Sequence, residues 1–304
     1  MSARGRRIPS ASAFLPLLAL ASGCRDATPR RGTPVPVDSA SGATTAIAPA
    51  RYLTDLVFAG GDGSVLFASF DQETDPERLV RDYSSWWGDS GGWRVLSRMR
   101  DTLPLPRAAW RILPAPGMTV RVGDSREVEG LGFSTPEGRL SLVAGDEVSA
   151  WTGPTGQRES LGVAALAIGE RTAGGLLFFR RAARATRFPA ETGESRTFVL
   201  ADSAGNGLLI EAGDGPEQPV IARTWLHGGV AVWDAVTFEA EAAAEGTPAR
   251  RWTFDIPAAS LSGVIRAVSS PTEGPVPAFR IECDLVADGL TYRFVGATAP
   301  LALP

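Results

Sequence analysis

The sequence contains no lysine; all 30 of its basic residues are arginine. It has a single histidine, His227, and two cysteines, Cys24 and Cys283. One His and one available Cys cannot make a structural zinc site, and no twelve-residue EF-hand loop is present for calcium. There is no Walker loop and no G-x-G-x-x-G in a βαβ setting, so no metal or nucleotide cofactor is expected. Acidic residues number 34 and the basic ones are not clustered, which argues against nucleic acid as a partner. The longest apolar run, Ala11 to Ala21, is short of the roughly 20 residues a spanning helix needs.

What the 304 residues do contain is a globular composition, 44% hydrophobic and 21% charged. From Arg51 onward, short apolar runs alternate with Gly, Pro, Asp-Gly and Asn-Gly breaks. Runs over 52–59, 64–70, 93–99, 107–113, 118–122, 126–133 and 138–144 read as strands, and the same pattern continues to 290–298. Many short strands at this spacing predict an all-β body of two consecutive barrel- or sandwich-like halves. No strict internal repeat is visible. The least patterned stretch, Pro189 to Gly193, places a boundary between a first β domain over 51–190 and a second over 191–304.

Two hairpins can be written down. Asp288-Gly289 is a two-residue turn that pairs Ala287 with Leu290, Leu285 with Tyr292 and Cys283 with Phe294 on one face, with Asp284 opposite Arg293 on the other. Cys283 is then a small buried apolar residue. A turn at Gly228-Gly229 would set Arg223, Trp225 and His227 on one face with Val230, Val232 and Asp234, and Arg223 opposite Asp234. One helix is expected over 76–87: Asp75 suits an N-cap, Pro76 the first helical position, and Leu79, Val80, Tyr83, Trp86 and Trp87 form one stripe ending at Gly88.

Gly88-Asp89-Ser90-Gly91-Gly92 spells a serine-nucleophile signature. A protease base would precede the serine, whereas His227 lies far downstream; the hydrolase version needs a strand before the turn, and a helix is expected there. Ser90 is therefore read as a loop residue and no catalytic residue is assigned. The best polar constellation is Arg223, Trp225, His227 and Asp234, which fits either a ligand pocket or a surface ion pair beside a turn. Trp86 and Trp87, on the helical stripe, fit a core or an aromatic-lined cleft.

The N-terminus has its own pattern. Arg4, Arg6 and Arg7 precede the apolar run, and Leu20-Ala21-Ser22-Gly23-Cys24 closes it. This layout resembles a bacterial lipoprotein signal, with residues 1–23 as signal peptide and Cys24 as the lipid-bearing first residue. Ala21 stands where Leu is usual. Plain secretion with a free Cys24 thiol, an uncleaved anchor and twin-arginine export through Arg6-Arg7 are the alternatives. Removing three Arg and no acids takes the net charge from −4 to −7. Residues 24–50 are the lipidated start of a flexible tether rich in Pro, Ser, Thr, Ala and Gly, with a span of about 25–30 Å.

A further resemblance lies in Tyr52 to Phe58, Gly60-Gly61-Asp62-Gly63 and Ser64 to Phe70. This segment is similar to the opening hairpin of hydroxyneurosporene-synthase-type proteins. The resemblance implies two consecutive lipocalin-like barrels, and among its members are hydratases acting on carotenoids. The aromatic signature of that hairpin and nearly all candidate acid–base histidines are missing here.

These readings lead to a membrane-anchored lipoprotein of the bacterial cell envelope, facing the periplasm or the exterior. Its expected role is non-catalytic: a binding protein or an accessory subunit of a membrane-associated complex, with a protein partner. The alternative is a lipocalin-like carrier or hydratase for an apolar small molecule such as a lipid or carotenoid. A carrier needs an apolar cavity of several hundred cubic ångströms; an accessory subunit needs an exposed apolar patch.

Overall fold

The computed structural model describes residues 50–302 apart from 107–109, 124–127, 154–155, 186–193, 214–218, 227, 242–247 and 272–277. The signal-like segment, Cys24, most of the tether and His227 lie outside the described residues. The first sheet holds β1 (Ala50–Gly60), β2 (Val65–Thr74), β3 (Arg78–Asp89), β4 (Gly92–Pro104), β5 (Met118–Val122), β6 (Val128–Thr135), β7 (Gly138–Thr152), β8 (Arg158–Ile168) and β9 (Arg171–Ala185). The second holds β10 (Glu194–Ala201), β11 (Gly207–Gly213), β12 (Ile221–Leu226), β13 (Gly229–Trp233), β14 (Thr237–Ala240), β15 (Arg251–Ile256), β16 (Leu261–Ser269), β17 (Phe279–Ala287) and β18 (Leu290–Ala302). Among the described residues the helical element is one 3-10 turn, Pro257–Ala259.

The body is all-β. Both sheets are antiparallel, and the second repeats the strand order of the first: β4-β3-β2-β1-β9-β8-β7-β6-β5 and β13-β12-β11-β10-β18-β17-β16-β15-β14. The first curls into a nearly closed barrel and the second into a half-barrel. Side chains alternate across a strand, so one face of each sheet fills its own barrel. Leu56, Phe58, Phe70, Tyr83, Trp87 and Phe133 pack inside the first. Phe198, Ile210, Trp252, Phe279, Cys283 and Phe294 pack inside the second. A third core forms where the sheets meet, from Val57, Phe67, Trp86, Phe178, Val199, Leu209 and Ala297. β1 is thus buried on both faces, which is why 56–59 reads as a continuous apolar run.

Residues 76–87 are not a helix. β3 begins at Arg78 and pairs with β2 and β4 along its length. Asp75 does accept hydrogen bonds from the backbone N–H groups of Glu77 and Arg78, at 2.9 and 2.8 Å. That is the chemistry of an N-cap, but here it closes the turn between β2 and β3. The span 107–113 is not a strand either: none of its described residues belongs to one. Residues 112–115 instead follow an irregular path against the first barrel, where Ile112 and Ala115 join its core. Gln72 Nε2 donates to the Arg111 carbonyl at 3.0 Å and Arg81 to that of Leu113 at 2.9 Å, holding the segment there.

The turn at Asp288-Gly289 pairs the residues expected of it, with Cys283 against Phe294 and Asp284 against Arg293. Both turn residues have positive φ, 49° and 77°, as a tight type I′ hairpin requires.

Candidate functional site

The second half-barrel is not filled to its end. β12 and β13 fold over one side of it, and β17 and β18 close the other. Between them lies a pocket of about 380 Å³. Its walls are mostly apolar: Leu226, Trp233, Leu261, Leu285 and Phe294, with Ala259 and Ala287 at its rim. Thr224, Asn206, Asp288 and Tyr292 supply polar groups. Trp233 Nε1 donates to Thr224 Oγ1 at 3.1 Å, which fixes the indole in the wall. Asn206 is held by Asp202, through its backbone N–H at 2.8 Å and its side-chain amide at 2.7 Å. Apolar walls with a few placed polar groups are what small-molecule sites present.

On the other face of β12 is a polar cluster between the sheets. Arg223 pairs with Glu211 of β11 and stacks its guanidinium on Trp151 of the first sheet, 3.6 Å from the ring centroid. Glu159 is 2% exposed. It accepts from Trp151 Nε1 at 2.5 Å and from Gln157 Nε2 at 3.0 Å. Burial pushes the Glu211 carboxyl well above the usual carboxylate range, the charge of Glu159 adds to this, and Arg223 opposes it. One step along the ladder, Arg180 pairs with Asp55 at 2.7 Å.

The described residues singled out in the sequence do not all lie together, and His227 is outside the described residues. Arg223 faces Val232, not Asp234. Leu226 meets Gly229 in the ladder, so the pairing between β12 and β13 moves by two positions from that expected. The faces survive, because a shift of two keeps strand parity. Asp234 lies beyond the end of β13 and is exposed. Trp225 is half-buried opposite Val230 and Gly207. Trp87 is in the first barrel and Trp86 between the sheets. Ser90 sits in the tight turn between β3 and β4, strand to strand. A nucleophile elbow needs a helix after the turn.

Sequence reasoning missed Glu159, Glu211, Trp151, Arg180 and Trp233. The available signal was a charged residue inside an otherwise apolar strand: Glu211 after Leu208 to Ile210, and Arg180 after Leu176 to Phe179. Such residues are rarely buried without a partner.

No family model and no curated protein matches this sequence. Solved structures do match in fold. Kievitone hydratase from Nectria haematococca superposes with a TM-score of 0.53 at 7% identity, over 84% of this chain and 90% of that one. A candidate AttH from Nitrosomonas europaea gives 0.52 at 9% identity, over 91% and 99%. Identities this low carry fold without function. The chain therefore has the lipocalin-like fold of these proteins.

Proposed function

We propose that this protein binds an apolar small molecule in its second barrel while a lipid on Cys24 holds it in the bacterial envelope. The observation that carries the binding role is the pocket of about 380 Å³, within the 300–1,000 Å³ of small-molecule sites. Thr224 and Tyr292 would orient the ligand, and Trp233 would report on it. The anchor rests on the signal-like segment ending at Cys24, and the tether would let the body stand clear of the headgroups.

Titration with N-phenyl-1-naphthylamine, a neutral apolar fluorophore, tests the pocket. Saturable one-to-one binding with energy transfer from tryptophan is expected, and Ala287→Phe, which fills the rim, should weaken it at least tenfold. Absent binding, or equal binding by the variant, sinks the reading. Cys24→Ser should release the protein from membranes; a variant that stays membrane-bound would remove the anchor.

A second reading, an accessory subunit of a membrane-associated complex, is favoured by Val230, Val232 and Leu290, which are 42%, 58% and 62% exposed around the same end of the second barrel. Cross-linking of the native protein in its membrane decides it: a single stoichiometric partner supports the role, and recovery of the uncross-linked chain alone opposes it.

A further inference from the structure

We propose that the pocket of the second barrel selects neutral apolar molecules that carry an acceptor oxygen, such as a ketone, ester or ether, and that Thr224 makes the selecting hydrogen bond. This rests on the reading of the pocket as a ligand site and adds the chemical class of the ligand.

Thr224 lines the pocket from β12, together with its ladder partner Ala231 and with Leu226 two residues on. It is 4% exposed. A hydroxyl has one hydrogen to give and two lone pairs to receive with. Thr224 Oγ1 receives from Trp233 Nε1 at 3.1 Å, and among the described residues no group accepts its hydrogen. The free space that its side chain borders is the pocket. Water can fill that space when no ligand is bound. A ligand that displaces the water and brings no acceptor leaves a buried donor bare, whereas one with an oxygen in reach replaces the lost bond. Tyr292 differs, because it is half-buried and solvent still reaches it when the pocket is full.

The same walls disfavour anions. Of the described residues lining the pocket, Asp288 alone is charged, and it is acidic. The arginines of the neighbouring strands are engaged elsewhere: Arg223 of β12 pairs with Glu211, and Arg293 of β18 with Glu282. A carboxylate entering here would lose its hydration with no cation beside it and an acid at the rim, which is unfavourable.

Three compounds of nearly the same shape separate the oxygen from the charge: 1-acetonaphthone, 1-isopropylnaphthalene and 1-naphthoate. Each is tested as a competitor of N-phenyl-1-naphthylamine on the full chain. Thr224→Val keeps the shape of the side chain and removes the hydroxyl. It should weaken 1-acetonaphthone by about three- to tenfold, the range that one net hydrogen bond supplies, and leave 1-isopropylnaphthalene unchanged. The variant also takes the acceptor from Trp233, but any resulting change in the wall moves both neutral compounds alike. Thr224→Ser, which keeps the hydroxyl, should retain the affinity for the ketone. On the wild type, 1-naphthoate should bind about tenfold or more weakly than 1-acetonaphthone.

Equal losses for the two neutral compounds, or a naphthoate that binds as well as the ketone, would overturn the inference while binding of the fluorophore left the pocket reading standing. A wild type that does not bind the fluorophore would sink both. Should Thr224→Val fail to fold, infrared spectroscopy of 1-acetonaphthone on the wild type decides. Its carbonyl stretch should lie below the value in hexane, and an unshifted stretch would overturn the inference.

Discussion

Arg180 and Asp55 face each other across the ladder between β9 and β1 at 2.7 Å, with side chains 1% and 4% exposed. Asp55 also accepts from Ser69 Oγ at 2.7 Å. Neither charge has water to fall back on, so the pair's value depends on both members being present. Arg180→Leu should cost about 3–5 kcal/mol, because it strands a buried carboxylate. Adding Asp55→Leu should recover most of that loss, since replacing a whole buried pair with apolar groups is often neutral. Urea unfolding of the two single variants and the double variant measures this directly. A double variant as unstable as the sum of its parts would show no coupling between the two residues and overturn this account of the pair.

Gly175 and Gly296 occupy corresponding strands, β9 and β18, in the two sheets. A Cβ on Gly175 would lie 2.0 Å from the Ala59 carbonyl oxygen, and one on Gly296 would lie 1.9 Å from that of Val199. Both obstacles are backbone on the paired first strand, which cannot rotate away. Gly175→Ala and Gly296→Ala should each destabilise by about 1–3 kcal/mol or more through overpacking. Calorimetry of the two variants checks this, and a melting temperature unchanged in both would show that the ladders relax at no cost.

Cys283 has no exposed surface, and burial pushes its thiol up to about 12. The thiolate is the reactive form, so a thiol reagent should not label Cys283 in the native protein and should label it rapidly once urea unfolds the chain. The sign of the pH effect is the same as for any acid raised by folding. Stability from this group is intact below the ordinary thiol value of 9.0 and declines as pH rises toward 12. Cys283→Asp places a charge in the core beside Phe294 and should abolish folding; a folded variant would mean the core opens easily at this point.

Much of the architecture was legible because it rests on alternation and turn chemistry, which are local. The β17–β18 hairpin was readable to the residue from Asp288-Gly289 and the parity of Cys283, Leu285 and Phe294. β3 was misread because its spacing is degenerate. Leu79, Tyr83 and Trp87 are four apart, which is one helical turn and also an even number, so they share a face in either structure. Arg81 breaks the tie: it is buried on that same face and paired with Asp101, a placement that only strand parity allows. In the site, Trp233 and Leu285 were visible as residues but not as neighbours, because the pocket is closed by strands more than fifty positions apart. The stacking of Arg223 on Trp151 depends on how the sheets pack together, and nothing in either strand encodes that contact locally.

Asp284 shows how register and ion pairing can part company. It is the ladder partner of Arg293, yet its carboxylate is bonded to Arg266 of β16 at 2.6 Å, while Arg293 reaches diagonally to Glu282 at 2.7 Å. Asp284 and Arg266 are each half exposed, so solvent and salt screen the attraction. Asp284→Ala should cost about 0.5 kcal/mol, and a double-variant cycle with Arg266→Ala should return a coupling of the same small size. The coupling should shrink further in 1 M salt, where the screening length falls to about 3 Å. A coupling above about 2 kcal/mol would contradict this, since an exposed pair on the outer face of β16 and β17 has no low-dielectric surroundings to strengthen it.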